Sequence, residues 1–349
     1  MAYTTIDNPE LYFQTKLYTG NSGTNAITFD VSENMKPDWV WLKRRDSGSN
    51  NHRLCDSVRG VNKQIYSSSN GAEGTSSGVV QSFDSNGFTL NTSDSSVNVG
   101  SYVCWNWKAG TSVSGTSTGS GTGKAYSGSV NTTSGFSIIK YLGNGSSGHT
   151  IPHHLSAVPQ FIVVKSLDRG TNWITYQAPL GAGKFLRLNQ TNAESTSSSR
   201  WNDTTPTSTV FTVGNDGDLN NNDEDYIAYI IANVQGYSKI GNYTGNGNAD
   251  GPFTYLGFKP AFIMIKRTDV AKNWYINDNL RDGYNNDNPY LSPNLTAAGT
   301  GGTEIDLLSN GFKITASGTG HNQSGGTYIY MAFAENPFVA SNFNAATAR

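Results

Sequence analysis

Residues 159–165 (PQFIVVK) and residues 260–266 (PAFIMIK) follow one pattern, which residues 37–43 (PDWVWLK) repeat. Proline suits the start of a strand, where no ladder N–H is needed. The short run of β-branched and aromatic residues after it is typical of a strand buried inside a β-sandwich. We expect the lysine that ends each run to lie at the solvent boundary.

Two further motifs show that this stretch belongs to an internal repeat. Each copy opens with a tyrosine and a glycine-rich turn, and it closes with a second apolar strand. The opening motifs are residues 18–21, 141–145 and 243–247, and the closing strands are residues 102–107, 226–231 and 328–333. Lys165 and Lys266 are as far apart as Trp173 and Trp274, so the second and third copies are nearly in register.

Short strands separated by turn residues predict an all-β fold of three tandem antiparallel β-sandwiches of the jelly-roll type. Asn-Gly pairs at residues 86–87 and 310–311 are typical of tight hairpins, and no segment keeps a capped helical period. The predicted divisions are an N-terminal arm (1–16), sandwiches (17–110, 135–236 and 237–349) and a Gly/Ser/Thr linker (111–134). A linker of this composition is expected to be flexible or extended on a neighbour.

Composition limits the classes of function. The net charge of −2 creates no field that would attract nucleic acid or an acidic membrane. No apolar run approaches the length of a membrane span, and the first residues lack a secretory signal. We therefore expect neither nucleic acid nor membrane insertion among the interactions of the chain. The two cysteines, Cys55 and Cys104, form either buried thiols or a single bridge.

The best candidate for a metal site is an acidic loop near the end of the second copy. Asp216, Asp218 and Asn220 have the first three spacings of a calcium loop, in which oxygen ligands alternate along the chain. Asn221 and Ile227 stand where such a loop needs glycine and glutamate. The loop therefore has two interpretations, a Ca²⁺ site and a solvated connection between strands.

Motifs of catalysis do not appear in the sequence. The glycine-rich turns precede no helix that could bind phosphate, and there is no nucleophile elbow or zinc-protease motif. A glycosidase needs two facing carboxylates, and nothing singles out such a pair. We expect a binding protein rather than an enzyme, with polysaccharide depolymerisation as the enzymatic alternative.

Aromatic side chains beside amides are the remaining candidates for binding, because sugar rings stack on aromatic faces. Trp173 and Trp274 recur at one repeat position, which favours packing inside or between domains. Trp201 has no counterpart and lies in a polar loop, so we expect it at the surface. A second polar loop contains Tyr284 and Asn285. The predicted ligand-binding residues are therefore Trp201, Tyr284 and Asn285.

Several segments resemble virion proteins of tailed phages, especially marine and cyanobacterial ones. They are residues 5–9 with residues 11–14, residues 38–41 (DWVW), residues 103–110 (VCWNWKAG) and residues 328–335 (YIYMAFAE). The resemblance implies lectin-like sandwich units in an appendage or decoration protein on the particle surface. It implies no catalytic residues. Other virion proteins would be partners, and a homotrimer is expected by analogy with phage appendages.

Two functions fit these expectations. The chain is either a tail-fibre or receptor-binding protein whose loops contact host glycan, or a capsid or tail decoration protein that acts only through protein–protein contacts. Ile6 and Phe13 make the arm apolar, which predicts burial against a partner chain or a neighbouring domain. We expect the arm to attach the protein to the particle, and the body to fold without it.

Overall fold

The computed structural model of the chain describes residues 3–30, 33–281, 285, 289–302 and 304–340. Antiparallel strands dominate it and form three pairs of sheets in chain order, so the predicted all-β sandwich fold is confirmed. Within the described residues, no helix is long and apolar enough to cross a membrane.

The first sandwich follows a 3₁₀ helix at Pro9–Leu11. Its strands are β1 (Phe13–Thr19), β2 (Thr24–Thr28), β3 (Trp39–Arg44), β4 (Arg53–Asp56), β5 (Lys63–Tyr66), β6 (Gly74–Thr75), β7 (Ser82–Asp84), β8 (Gly87–Asn91) and β9 (Ser101–Trp107). They form a large sheet, β1-β9-β3-β4-β5-β6, and a small sheet, β2-β8-β7. Cys55 and Cys104 lie between the sheets as free, buried thiols, so they form no bridge.

The second sandwich contains the most strands. They are β10 (Thr111–Thr116), β11 (Thr118–Gly119), β12 (Ala125–Asn131), β13 (Phe136–Leu142), β14 (His149–Pro152), β15 (Phe161–Ser166), β16 (Ile174–Gln177), β17 (Lys184–Arg187), β18 (Ser195–Thr196), β19 (Val210–Val213) and β20 (Asp225–Ile231). Two short helices, α1 (Ser198–Trp201) and α2 (Gly217–Asn220), lie before and after β19. The sheets have the orders β10-β12-β13-β20-β15-β16-β17-β18 and β11-β14-β19.

The third sandwich has a four-stranded and a three-stranded sheet. Its strands are β21 (Ser238–Thr244), β22 (Phe253–Tyr255), β23 (Phe258–Arg267), β24 (Trp274–Asp278), β25 (Ile305–Leu308), β26 (Gly311–Ile314) and β27 (Thr327–Pro337). The orders are β21-β27-β23-β24 and β22-β26-β25.

The three large sheets share one arrangement of strands. In each, the opening strand (β1, β13 or β21) pairs with the closing strand (β9, β20 or β27), which also pairs with the proline-led strand (β3, β15 or β23). Opening and closing tyrosines stack in all three, at centroid distances of 4.8, 5.3 and 4.8 Å for Tyr18–Tyr102, Tyr141–Tyr226 and Tyr243–Tyr328. Val163 and Met264 occupy equivalent positions, as the sequence predicts.

One hydrophobic core is common to the three sandwiches, and each sandwich also encloses a core of its own. In the common core, Trp39 of the first sandwich stacks on Tyr229 of the second, with 4.2 Å between ring centroids. Trp107 lies 5.7 Å from Phe262 of the third. The repeats are therefore joined face to face, because the face of each large sheet that turns away from its own small sheet is apolar.

The three sandwiches contact one another in a ring, and hydroxyl and indole groups inside the common core form hydrogen bonds at two of the three contacts. The hydroxyl of Tyr229 donates to Asp56 Oδ2 of the first sandwich (2.7 Å), and Trp105 Nε1 donates to Asp278 Oδ2 of the third (3.1 Å). At the third equivalent contact, Met331 and Gln177 line one small cavity.

A second set of contacts follows the same order around the ring. Trp173 Nε1 donates to the carbonyl of Tyr66 (2.9 Å), and Trp274 Nε1 donates to the carbonyl of Arg187 (3.0 Å). His52 takes the equivalent position in the first sandwich, against the backbone of Ser292. The prediction that the two repeat-matched tryptophans pack between domains is thus confirmed.

Of the two forms predicted for residues 111–134, flexible or extended on a neighbour, the structure shows the second. They supply β10, β11 and β12, and we call residues 111–131 the strap. β12 pairs with β13 and β11 pairs with β14, so the strap covers one edge of each sheet of the second sandwich. Tyr126 of the strap packs in that sandwich's core. Small polar residues form strands here because exposed sheet edges supply partners for their backbone groups.

The N-terminal arm is part of the folded body. Ile6 and Phe13 belong to the common core, and the Phe13 ring stacks on Phe333 of the third sandwich at 5.2 Å. The hydroxyl of Tyr3 donates to the carbonyl of Gly257 (3.0 Å). Of the two predicted surroundings, the structure shows the neighbouring domain, and the expectation that the body folds without the arm conflicts with this packing.

We predict that Phe13→Ala lowers the free energy of unfolding by about 3–5 kcal/mol, because it leaves a cavity in the common core. Urea denaturation followed by tryptophan fluorescence measures the change. Phe253→Ala is the matched control, since the Phe253 side chain is 48% exposed. Equal losses in the two variants would contradict the position of the arm.

Candidate functional site

Trp201 lies inside the second sandwich, so the prediction that it is exposed is wrong. Its side chain is 1% exposed, and its ring meets Tyr176 and Phe211 edge-on, at 5.9 and 6.4 Å. The polar sequence around it was misleading because α1 turns only Arg200 and Trp201 toward the interior.

The other predicted ligand-binding residues do not join Trp201. Tyr284 lies outside the described residues. The side-chain amide of Asn285 donates to the carbonyl of Leu307 (3.0 Å) and accepts from its N–H (2.9 Å), so it completes the edge of β25 in the third sandwich. Trp201 and Asn285 thus belong to different sandwiches and form no common site.

An arginine occupies the predicted calcium loop. Arg200 Nη1 contacts the carboxylates of both Asp216 and Asp218, at 2.6 Å for Asp218. Asp216 also caps α2 by accepting from the N–H of Asp218 (2.8 Å). The guanidinium supplies the positive charge that the prediction assigned to Ca²⁺. Among the described residues, no group of three or more His, Cys, Asp or Glu side chains is arranged to hold a metal.

The third predicted ligand, Asn220, is one of three buried asparagines that hold the glycine-rich turns. Each of these anchor asparagines donates to two carbonyl oxygens at 2.6–2.9 Å and accepts from a turn N–H. They are Asn98, Asn220 and Asn322. The turn glycine is required because the backbone of the anchor and of the residue after it lies against the turn. A Cβ on Gly143 or Gly245 would collide with the carbonyl oxygen of Asn221 or Gln323. The sequence signal that could have revealed these anchors is an asparagine that recurs at the same position in each repeat.

Ser117, His149 and Asn220 form a constellation that the sequence does not suggest. His149 Nε2 lies 2.6 Å from Ser117 Oγ, and His149 Nδ1 lies 3.0 Å from Asn220 Oδ1. Because an amide oxygen only accepts, Nδ1 bears the proton and Nε2 accepts from the serine hydroxyl. Burial lowers the pKa of His149 and the hydrogen bond to Asn220 opposes this, so the ring is neutral at physiological pH. This is the order of donors and acceptors found in a nucleophile, base and orienting group.

The surroundings of these three residues indicate a structural role. Ser117 is 3% exposed, and its Oγ already accepts from the N–H of Lys124 (2.8 Å). In the first sandwich, Asn25 Nδ2 donates to Asn98 Oδ1 (2.9 Å) as His149 does to Asn220. Ser117 belongs to the strap, so the hydrogen bonds fasten the strap to the second sandwich.

A polar groove of about 520 Å³ lies between the first sandwich and the strap. Serines on β10 and β12 line it, and Asp38 lies on its opposite wall. The Asp38 carboxylate accepts from Ser57 Oγ (2.6 Å) and from the N–H of Ala109 (2.9 Å). Burial raises the pKa of Asp38 and these hydrogen bonds oppose it. The carboxylate therefore connects the start of β3 to the end of β9 through these hydrogen bonds.

The lysines that end the proline-led strands are buried, so the prediction that they mark the solvent boundary is wrong. Lys43 Nζ donates to the carbonyls of Asn50 (2.7 Å) and Thr296 (2.8 Å). Lys266 Nζ donates to those of Arg267 (2.7 Å) and Thr191 (3.1 Å). Lys43 and Lys266 thus reach loops of a neighbouring sandwich. Lys165 Nζ donates within its own sandwich, to the carbonyls of Ser166 (2.6 Å) and Arg169 (3.0 Å).

We predict that stability rises with pH in the mildly alkaline range. Burial lowers the pKa of Lys43 and Lys165 to about 8 and that of Lys266 to about 7, from 10.5. Between these values the unfolded chain binds more protons than the folded chain, so the free energy of unfolding increases with pH. Above about pH 10 the trend reverses, because burial raises the pKa of Tyr141 and Tyr243 and only the unfolded chain loses those protons.

Urea denaturation at about pH 7 and about pH 9 tests this sign. Lys266→Met should show a smaller rise than the unchanged protein. A free energy of unfolding that decreases from the lower to the higher pH would contradict the prediction.

We also predict that Asn322→Ala lowers the free energy of unfolding by about 1–3 kcal/mol, the cost of leaving a buried polar group without its partner. The substitution leaves the carbonyls of Asn248 and Ala316 and the N–H of Asn246 without this partner. Thermal and urea denaturation measure the loss. Asn222→Ala is the control, because the Asn222 side chain is exposed. A comparable loss in this variant would contradict the conclusion that the anchor asparagine stabilises the turn.

A family model described as a domain of unknown function (DUF7483) matches residues 8–337, from the arm to the end of the last strand. No curated protein and no solved structure matches the chain. Because the family model covers most of the sequence and all three sandwiches, the chain belongs to the DUF7483 family.

Proposed function

We propose that the chain is a non-enzymatic structural protein on the surface of a tailed-phage particle. The observation that carries the proposal is where the phage-like segments lie in the fold. Residues 38–41 and 103–110 contribute Trp39, Trp105 and Trp107 to the common core, and residues 328–335 are most of β27. Core residues determine the architecture, so a resemblance in these residues supports a common fold for this chain and the virion proteins.

The hydrogen bonding of the buried polar side chains supports a binding function rather than catalysis. Ser117, His149 and Asp38 are the described groups that come closest to catalytic chemistry, and each is committed to backbone or side-chain partners inside the fold. The pair Asp56–Arg59 is buried in the same manner, with 2.5 Å between Oδ2 and Nε. Groups held in this way stabilise a rigid body whose outer surface makes the contacts.

Within this proposal the chain is an appendage protein that contacts host glycan, as a homotrimer attached to other virion proteins. Exposed aromatic side chains at Phe253 and Tyr255 favour this function, since they offer flat apolar faces to a ligand.

Decoration of the capsid or tail is the second candidate. The observation that favours it is the edge of β21, the outermost strand of its sheet. Val234 and Asn233 pair with Ser238 and Ile240 at the start of this edge, and the end of the strand lies beyond them. Such an edge presents backbone donors and acceptors to a strand of another protein.

We predict that antibodies against the purified protein label intact particles of the phage that encodes it. Gold labelling at the tail, with a few trimers per particle by quantitative mass spectrometry, is the expected result. Labelling over the head, at a copy number near that of the capsid subunit, would favour decoration instead. Particles without label, and without the protein by mass spectrometry, would overturn the virion assignment.

A further inference from the structure

Two buried ion pairs occupy the same position in the first and third sandwiches. Asp56–Arg59 lies where the first sandwich meets the second, and Asp278–Arg281 lies where the third meets the first. In both, Nε of the arginine contacts Oδ2 of the aspartate, at 2.5 and 2.6 Å. In both, Nη2 donates to the carbonyl two residues before the aspartate, at 2.8 and 2.9 Å. The two arginines are therefore equivalent.

The remaining nitrogen, Nη1, has different surroundings in the two pairs. Nη1 of Arg59 forms an ion pair with the carboxylate of Glu73, with 3.3 Å between Nη1 and Oε1. Among the described residues, Nη1 of Arg281 has no hydrogen-bond partner, although the residue is 2% exposed. A buried N–H group without a partner is costly, so a partner for this one is expected. In the first sandwich that partner is an anion.

A small cavity adjoins Arg281 at the contact between the third and first sandwiches. Its volume is about 110 Å³, and Arg45 of the first sandwich lines it together with Arg281, Pro289 and Gly299 of the third. Nε of Arg45 is also buried and has no partner within the described ranges. The cavity admits a small ion, whereas larger ligands usually occupy about 300 Å³ or more.

Arg45 takes the place that a leucine has at the contact between the first and second sandwiches. Leu167 lies two residues after Lys165, and its carbonyl accepts from the N–H of Glu73 (2.8 Å). Arg45 lies two residues after Lys43, which is the equivalent lysine. A leucine beside a carboxylate at one contact thus corresponds to an arginine beside a cavity at the other, and the described residues that line this cavity include no carboxylate.

The charged groups near the cavity leave an excess of positive charge. Asp278 is paired with Arg281, and Asp46 is paired with Arg44 at 2.6 Å. Each of these carboxylates is matched by one arginine, so within the described part of the chain the charge of Arg45 remains uncompensated. Guanidinium groups bind oxyanions through charge-assisted hydrogen bonds. One anion in the cavity would balance the charge and occupy the unpaired N–H groups.

We propose that Arg45 and Arg281 form a site for one small inorganic oxyanion, phosphate or sulfate, between the first and third sandwiches. The anion accepts from Nη1 of Arg281, as Glu73 accepts from Nη1 of Arg59. It also accepts from the guanidinium of Arg45, so it joins two sandwiches and stabilises their contact. The volume of the cavity favours a free ion over an acidic group carried on a chain. This site does not depend on the proposed virion role.

Thermal denaturation of the full chain in sodium phosphate and in sodium chloride, at equal ionic strength and pH, tests the site. We expect Tm to rise with phosphate and then to level off, because an ion that binds only the folded chain stabilises it. Isothermal titration calorimetry with phosphate should show a single site per chain. Arg45→Gln should weaken phosphate binding by about tenfold or more, because it removes charge-assisted hydrogen bonds.

Arg44→Gln is the matched control, because it removes the same charge from the neighbouring residue, which is paired with Asp46 and does not line the cavity. It should bind phosphate as the unchanged protein does. Arg45 is the test position because Arg281 also pairs with buried Asp278, so its substitution would destabilise the contact itself. Circular dichroism of each variant separates loss of the site from loss of fold.

Unchanged phosphate binding by Arg45→Gln, or a Tm that follows ionic strength alone, would overturn the site. Asp282 and Asp287 lie outside the described residues and are close to Arg281 in sequence. A phosphate response that appears only in the double variant Asp282→Asn, Asp287→Asn would also overturn the proposal, because a carboxylate of the chain would then take the place of the anion.

Discussion

The burial of three apolar sheet faces against one another is the constraint on which the rest of the structure depends. Each large sheet packs on its small sheet with one face and leaves the other apolar. Trp39, Tyr229 and Phe262 come from three different repeats and meet in the common core. Apolar faces of this size are unstable in water, so three repeats associate where one would not. The arm then adds Phe13 to the same core.

The common core places polar groups where water cannot reach them, and their pairing determines the order of the repeats. Asp56 and Asp278 accept hydrogen bonds from a neighbouring sandwich, as do the carbonyls that receive Trp173 and Trp274. An unpaired buried polar group costs more than its hydrogen bond contributes when made. Arrangements of the three sandwiches that break these pairs are therefore disfavoured, which makes the ring specific as well as stable.

Deviations from the threefold arrangement are where the repeats acquire separate roles. The strap covers the second sandwich and is fastened there by Ser117 and His149. In the first and third sandwiches the equivalent strands, β1, β2, β21 and β22, are outermost in their sheets.

The sequence by itself determined the fold class, because the alternation of short apolar strands with turn residues is a local property and it recurs three times. It also predicted the packing of Trp173 and Trp274, since a large side chain that recurs in a repeat serves the architecture. Only the tertiary structure decided the rest. The strap is mainly polar in sequence and becomes strand because the edges of the second sandwich supply its hydrogen bonds. Trp201 is surrounded by polar residues in sequence and by Tyr176 and Phe211 in space. The lysines at the strand ends are buried because carbonyls of other loops, some from a neighbouring sandwich, meet their ammonium groups. The contacts of Lys43 and Lys266 join residues far apart in the chain. The strap and Trp201 depend on how nearby segments fold back on one another. A local pattern of residue types encodes neither.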